Sequence, residues 1–220
     1  EKILKVGFVS ADFRDHSVVF FLLDTFKYLR KKKIKLFAYS NNSHEDDFTK
    51  LIKQYVDNWV SIVNKTDKDL INLIRKDNLD ILFDLSGHTV NNRLAVFKNR
   101  CAPVQATWCG WLASTGVKEI DYIIGDKYAT PLSDRNKFTE KIYQLDNILF
   151  CLSKYDLILD LKIEKNSEKN IVFGCFNKTN KINQDVISTW SKILLKVKKF
   201  FKYKIILHYS FPFQVNLHKL

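Results

Sequence analysis

Apolar residues along this chain follow two alternating patterns, short continuous runs and longer stretches with apolar positions three or four residues apart. The short runs are typical of buried strands, and the spaced stretches are typical of amphipathic helices. Strands are therefore predicted at 3–10, 34–40, 59–63, 80–86, 104–108 and 120–124. Helices are predicted at 18–29, from the polar stretch after residue 40 through Tyr55, at 66–76 and at 91–99.

Strands that alternate with helices at this spacing favour βαβ units, and hence a mostly parallel sheet with helices on both faces. A lysine- and asparagine-rich stretch of weak periodicity follows residue 150. A new unit then begins, with strands predicted at 171–176 and 203–209 and a helix at 185–197. The predicted organisation is a first domain over 1–150, a connector over 151–170 and the start of a second domain over 171–220.

Composition narrows the class of protein. The 220 residues are 46% hydrophobic, which is enough for a real core, and no apolar run approaches the ~20 residues of a membrane helix. The four cysteines form no CxxC pair, which favours buried thiols in a reducing cytoplasm over a metal site. The chain contains no methionine, so we expect it to be a piece of a longer protein.

The net charge of +12 raises the alternative of a nucleic-acid-binding protein. The lysines, however, are spread through every segment, and the two clusters at 30–33 and 196–204 follow predicted helices, where cations favour the helix dipole. The pattern favours a solvated surface, with weak, salt-sensitive and sequence-independent binding to nucleic acid at most. Asp67 and Asp69 form an Asp-x-Asp pair, but acids are expected where a helix begins, so a metal site is rejected.

Polar residues gather where predicted strands end. His16 follows the first strand, His88 follows the strand at 80–86, Gly110 follows the strand at 104–108, and Lys181 follows the strand at 171–176. Ligands of open parallel sheets bind beyond the carboxyl ends of the strands, so His16, His88 and Gly110 are expected at one edge. Each residue also has a structural explanation: His16 as a helix cap, His88 as a turn residue and Lys181 as a surface lysine.

Four segments together carry a resemblance to a known family: "VGFVSADFRDHSVVFFL", "DILFDLSGHTVNNRLAVFKNRCAPVQATWCGWLASTG", "IDYIIGD" and "FGCFNKTNKIN". They resemble the catalytic region of the protein O-linked N-acetylglucosamine transferases, the family that includes the SPINDLY proteins. The resemblance runs in order through nearly all of 3–207. It implies an α/β fold of the GT-B type, in which a Rossmann-like parallel-sheet domain is followed here by the beginning of a second Rossmann-like domain.

The resemblance implies a function. The family transfers a sugar from a nucleotide-sugar, here UDP-N-acetylglucosamine or less favourably GDP-fucose, to Ser or Thr hydroxyls of proteins. It works without a metal or another cofactor, and tetratricopeptide repeats usually precede the catalytic region. The partners expected are therefore a nucleotide-sugar and a protein or peptide acceptor, with neither a membrane nor a specific nucleic acid.

By position in the motifs, the resemblance makes His16, His88 and Lys181 catalytic candidates. His16 matches the family's active-site histidine, and the sequence leaves open whether it removes the acceptor proton or only orients groups. Gly110 matches the place where the backbone approaches the sugar, and Lys181 matches the lysine that meets the donor diphosphate. A diphosphate leaving group needs a cation and the N–H donors of a helix start, which a lysine just before a helix can supply. The remaining candidates are, for donor binding, Asn177 and Lys178, and, for acceptor or loop contacts, Asp12, Thr89 and Thr115.

Three interpretations stay open on the sequence alone. The first is the catalytic region of a protein O-glycosyltransferase, present in part and inactive by itself. The second is a non-catalytic basic α/β module that binds a nucleotide or nucleic acid. The third is a degenerate homologue without activity. Two departures from the family pattern bear on this choice: Lys178 stands where Asn or Gln is usual, and Leu112-Ala113 replace a usual Pro-Gly pair.

Overall fold

The computed structural model describes residues 2–153, 173–175, 177, 181–196 and 205–207. The chain divides into two compact units, Glu1–Leu157 and Ile158–Leu220. No helix within the described ranges is long and apolar enough to cross a membrane.

The first unit is built on one sheet of seven strands. Its strands are β1 (Leu4–Ser10), β2 (Ile34–Ser40), β3 (Asn58–Ser61), β4 (Ile81–Asp84), β5 (Val104–Thr107), β6 (Tyr122–Gly125) and β7 (Lys141–Gln144). Their order is β3-β2-β1-β4-β5-β6-β7, and every neighbouring pair is parallel. The predicted α/β class with a parallel sheet is confirmed.

Helices cover this sheet. They are α1 (Ser17–Leu29), α2 (Asp47–Lys53), α3 (Asp67–Asp77) and α4 (Leu94–Phe97), with a 3-10 helix at Leu132–Lys137. Each of the first three begins at a residue whose side chain accepts a backbone N–H of the first turn: His16, Asp46 and Thr66 respectively. Such caps satisfy donors that have no partner within the helix, which is why these helices start where they do.

Two apolar clusters lie on opposite faces of the sheet, which gives three layers. One cluster joins the sheet to α1 and α2 through Val19, Leu22, Phe26 and Ile52. The other joins it to α3 and α4 through residues that include Leu70, Ile74, Val96 and Phe97. β1 contributes to both, with Phe8 in the first cluster and Val9 in the second, because successive side chains of a strand point to opposite faces.

Two predictions for the first unit differ from the structure. The helix expected at 91–99 is only Leu94–Phe97, because Asn91 has a φ of 61°, a left-handed conformation that a helix cannot include. The strand β7 and the 3-10 helix were not predicted. β7 is a four-residue edge strand in which exposed and half-buried residues alternate, so it lacks the apolar run that marks the central strands.

The second unit is described at three elements. These are β8 (Phe173–Cys175), α5 (Gln184–Lys196) and β9 (Ile205–Leu207), and the two strands pair in parallel. They fall where the sequence predicted a strand, a helix and a strand, within one residue at the helix ends. Most of the predicted connector at 151–170 lies outside the described residues.

Candidate functional site

The carboxyl ends of β1 and β4 lie side by side where the strand order reverses. β2 and β3 extend from β1 in one direction, and β5, β6 and β7 extend from β4 in the other. Such a reversal leaves a crevice between the two following loops, where ligands of parallel sheets bind. His16 lies in the loop after β1, His88 in the loop after β4 and Gly110 in the loop after the adjacent β5. The topology therefore gathers these three residues at one edge, as expected.

His16 is both a helix cap and a candidate active-site group. Its Nδ1 accepts the backbone N–H of Val18 at 3.3 Å, while the side chain keeps 36% of its surface exposed. A nitrogen that accepts a hydrogen bond carries no proton, so the neutral ring has its proton on Nε2. In this arrangement His16 has an Nε2–H donor on a partly exposed ring.

Asp12 holds the loop after β1 in place. It is buried, its backbone N–H donates to Ser10 Oγ at 2.9 Å, and its carboxylate lies 3.9 Å from His16 Nδ1 and 3.7 Å from the Arg14 guanidinium. The predicted acceptor or loop contact of Asp12 stays a prediction.

Asp84 organises the loop after β4 and was not among the predicted site residues. It is 1% exposed, and its carboxylate accepts the hydroxyl of Thr107 at 2.8 Å and the backbone N–H groups of Gly87 at 2.8 Å and Ser86 at 3.2 Å. Burial raises the pKa of Asp84, and these hydrogen bonds oppose the rise. The sequence signal was a carboxylate at the end of an otherwise apolar run, "DILFDLS".

The ring of His88 is held on two sides. Its Nε2 lies 2.9 Å from the carbonyl oxygen of Thr115, and its ring meets that of Trp111 edge to face at 5.6 Å. A carbonyl oxygen can only accept, so Nε2 carries a proton and Nδ1 is the nitrogen with a free lone pair in the neutral ring. Trp111 is itself fixed beside Gly87, where an added Cβ would lie 2.2 Å from the Trp111 Cβ.

The two threonines predicted as acceptor or loop contacts both use their hydroxyl groups within the protein. Thr89 Oγ1 donates to the Ser86 carbonyl at 2.8 Å and closes the turn after β4. Thr115 is 3% exposed, and its hydroxyl donates to the carboxylate of Glu140. Glu140 was missed by the sequence interpretation, since nothing in the local pattern distinguishes it from other acids before a strand.

Gly110 has a packing reason to be glycine. A Cβ there would lie 2.0 Å from the carbonyl oxygen of Leu85, so the loops after β4 and β5 can only approach this closely without a side chain. The preceding Cys109 has a φ of 77° and is buried beside α1, and burial raises the pKa of its thiol to about 12. The predicted approach of Gly110 to a sugar stays a prediction.

The acids at the start of α3 have partners within the protein. Asp67 lies 2.9 Å from the Arg93 guanidinium, and Asp69 accepts the Thr66 hydroxyl at 2.7 Å. Across the described part of the chain, no three His, Cys, Asp or Glu side chains are grouped so that they could hold a metal ion.

The predicted donor-binding residues belong to the second unit. Lys181 and Asn177 are exposed, and Lys181 lies two residues before Asn183, whose side chain accepts the N–H of Val186 at 3.0 Å at the start of α5. Lys181 thus lies just before a helix start, as predicted. Asn177 lines an apolar pocket of about 360 Å³ between β8 and α5 that Lys181 does not reach. Lys178 lies outside the described residues.

Comparison with known proteins identifies the family. The family model described as Glycosyl transferase family 41 matches residues 1–166. The Petunia hybrida protein named as a probable UDP-N-acetylglucosamine–peptide N-acetylglucosaminyltransferase, SPINDLY, is 33% identical over 202 residues, which are 90% of this chain and 22% of that protein. The corresponding enzyme of Caenorhabditis elegans is 26% identical over 149 residues, 67% of this chain and 13% of its own length.

A solved structure gives the same result. An O-GlcNAc transferase mutant from Thermobaculum terrenum matches with a TM-score of 0.83 and 32% identity, covering 93% of this chain and 38% of that one. The chain spans about a fifth of the length of SPINDLY relatives such as those of Petunia and Arabidopsis, 22% in each case.

Proposed function

The chain belongs to glycosyl transferase family 41, and from this membership we propose that the complete protein transfers a sugar to serine or threonine hydroxyls of other proteins. The donor we propose is UDP-N-acetylglucosamine, with GDP-fucose as the less favoured alternative. The names of the relatives, which state a UDP-N-acetylglucosamine–peptide transferase, support this choice. Because the chain spans a small part of these relatives, the activity is proposed for a protein with the complete catalytic region.

One structural observation on this chain itself supports the proposed function. The loops with His16 and His88 follow the two strands that flank the reversal of strand order, and the close-packed loop of Gly110 lies beside them. Both histidine rings are held by hydrogen bonds to the backbone, at Val18 and at Thr115. Groups fixed in this way need little reorganisation when a substrate arrives, which is what catalysis by positioned groups requires.

We propose different roles for the two histidines. Transfer to a hydroxyl forms a bond from the hydroxyl oxygen to the sugar, breaks the bond to the diphosphate, and releases the hydroxyl proton. Nδ1 of His88 can take up that proton without losing the hydrogen bond that holds the ring. His16 would have to give up its cap on Val18 to do so through a neutral ring, so it is assigned as a hydrogen-bond donor.

Lys181 is proposed to neutralise the negative charge that grows on the diphosphate as it leaves. Its exposed position before the start of α5 suits this role, because a cation and the N–H groups of a helix start act on an anion together. Asn177 and Lys178 are retained as donor-binding candidates. With Lys181 supplying the positive charge, the proposed reaction requires no metal and no other cofactor.

The proposed organisation keeps an acceptor-side domain over 1–150, a connector over 151–170 and the start of a nucleotide-sugar-binding domain over 171–220. Tetratricopeptide repeats before the catalytic region and a protein acceptor complete the proposed partners. The cytoplasm is the proposed location. All four cysteines are free thiols, which is usual in reducing compartments and supports that location.

Transfer of labelled sugar to peptide tests this function directly. The complete protein should be assayed with UDP-N-acetylglucosamine and with GDP-fucose, each with wild type and with His88→Ala. We expect transfer from UDP-N-acetylglucosamine that His88→Ala reduces by about a hundredfold or more. The proposal fails if wild type transfers neither sugar. Sequence-selective nucleic-acid binding that survives moderate salt would instead favour the binding module.

A further inference from the structure

Both oxygens of the Glu140 carboxylate accept hydrogen bonds from one loop, the loop that contains Ser114 and Thr115. Glu140 is 3% exposed, and no ion pair is found for it within the part of the chain that the structure describes. Its Oε1 accepts the backbone N–H of Thr115 at 2.8 Å and also the Thr115 hydroxyl, and its Oε2 accepts the Ser114 hydroxyl at 2.8 Å. A buried carboxylate without a cation is costly, and it persists here because three donors of the loop face it.

The backbone that follows Glu140 is anchored in the sheet. It directly precedes β7, and the next residue, Lys141, donates its N–H to the Asp121 carbonyl at 2.9 Å before β7 pairs with β6. The loop around Thr115 is therefore hydrogen-bonded to a side chain whose residue directly precedes a strand of the sheet. Ser114 Oγ also accepts the N–H groups of Thr139 and Gly116, each at 3.1 Å. The first of these bonds links the loop to the residue before Glu140, and the second lies within the loop.

The other side of Thr115 meets His88. While the N–H and hydroxyl of Thr115 point to Glu140, its carbonyl oxygen lies 2.9 Å from His88 Nε2. One residue thus links the buried carboxylate to the ring. The position of the carbonyl decides which ring nitrogen is protonated, and so which nitrogen offers a lone pair.

We propose that Glu140 is a positioning residue that fixes the ring orientation and the tautomer of His88 through Thr115. Its relevance to catalysis rests on the proposed function, but the link itself does not. When Glu140 is removed, the Thr115 N–H loses a buried acceptor, the loop shifts, and His88 Nε2 loses its only described acceptor. Both tautomers of His88 then become populated.

The first test reads the tautomer without any activity. Nitrogen-15 NMR of the histidine side chains, assigned with His88→Asn, should show Nδ1 of His88 as the unprotonated nitrogen in the wild-type chain. In Glu140→Ala we expect the two nitrogen resonances of His88 to move toward each other, as exchange between tautomers requires. Glu140→Gln keeps an oxygen for Thr115 but cannot accept the Ser114 hydroxyl on its amide nitrogen, so it should show a smaller shift in the same direction.

Asp134→Asn is the matched control. It removes a carboxylate from the surface 3-10 helix that precedes Glu140 in the chain, where Asp134 pairs with Lys137 at 2.9 Å, and it should leave the His88 resonances unchanged. Unchanged His88 resonances in a folded Glu140→Ala or Glu140→Gln chain would overturn the proposal. If Glu140→Ala fails to fold, Glu140→Gln decides alone.

The second test uses the complete protein. We expect Glu140→Gln to lower kcat by about tenfold to a hundredfold, with the KM for UDP-N-acetylglucosamine unchanged, because a displaced group slows the chemical step. An equal kcat in wild type and variant would contradict the proposal. Absence of transfer in wild type would contradict the proposed function alone, since the NMR result on Glu140 would stand.

Discussion

Nδ1 of His16 accepts the backbone N–H of Val18 at 3.3 Å, so the candidate active-site histidine is also the N-cap of α1. The two roles require different chemical groups at this position. Capping needs only a short acceptor, whereas a donor role in the crevice needs the Nε2–H of an imidazole. Stability and activity can therefore be separated at this one position.

For His16→Ala we expect a free energy of unfolding lower by about 1 kcal/mol, because the cap is lost, together with a loss of transfer in the complete protein. His16→Ser restores an oxygen cap, so it should recover the stability and leave transfer low. Chemical denaturation and the peptide-transfer assay measure the two effects. Recovery of transfer by His16→Ser would mean that His16 acts only as a cap.

For Lys181→Ala in the complete protein we expect transfer to fall by about a hundredfold to a thousandfold with the fold intact, because the charge contact proposed between Lys181 and the diphosphate would be lost. Lys181 is exposed, so its removal leaves no core cavity. Lys192→Ala, at an exposed position of α5, is the matched control and should keep the wild-type rate. Equal rates for the two variants would identify Lys181 as an ordinary surface lysine.

For Gly110→Ala we expect a loss of about 3 kcal/mol in the free energy of unfolding, because the new Cβ would overlap the Leu85 carbonyl oxygen and the backbone must move. Gly116→Ala is a useful comparison. Gly116 has a φ of +69°, but within the described part of the chain no atom beyond its two neighbouring residues lies within 4 Å of an added Cβ, so only backbone strain of about 1 kcal/mol applies. Thermal unfolding compares the two. A Gly110→Ala chain as stable as Gly116→Ala would argue against the close loop packing.

Asp126 should contribute to stability in a pH-dependent way. Backbone N–H groups of Ala129, Leu149 and Tyr128 donate to its carboxylate and lower its pKa. A lowered folded-state pKa stabilises the fold above the unfolded value of about 3.9, and this contribution is lost as the pH falls through the folded-state value.

The expected observation is a stability difference between wild type and Asp126→Asn that is constant near neutral pH and shrinks below about pH 4. Asparagine has no proton to gain, so the variant provides the reference curve. Denaturation followed by tryptophan fluorescence at a series of pH values measures it. A difference that stays constant into acid would show that Asp126 does not titrate with a lowered pKa.

Local sequence patterns were sufficient for the parallel α/β class and for most element positions. The strand at Leu4–Ser10 and the helix at Ser17–Leu29 carry their own periodicity, and the caps at Thr66 and Asp46 follow from residue type. The order of strand, polar loop and helix also predicted that His16 and His88 follow strand ends. These features depend on neighbours within a few residues, which the sequence displays directly.

Contacts between residues far apart in the chain were decided only by the tertiary structure. The reversal between β1 and β4 depends on which strands pair, and no local pattern specifies that order. Gly110 contacts Leu85, and Thr115 contacts Glu140, across 25 residues of sequence in each case. The first contact leaves no room for a side chain at position 110, and the second buries the Thr115 hydroxyl against a carboxylate. Parallel strands need long crossover connections, so the loops at one edge come from distant segments. The sequence therefore indicated which residues reach the edge, whereas folding decided which atoms they meet there.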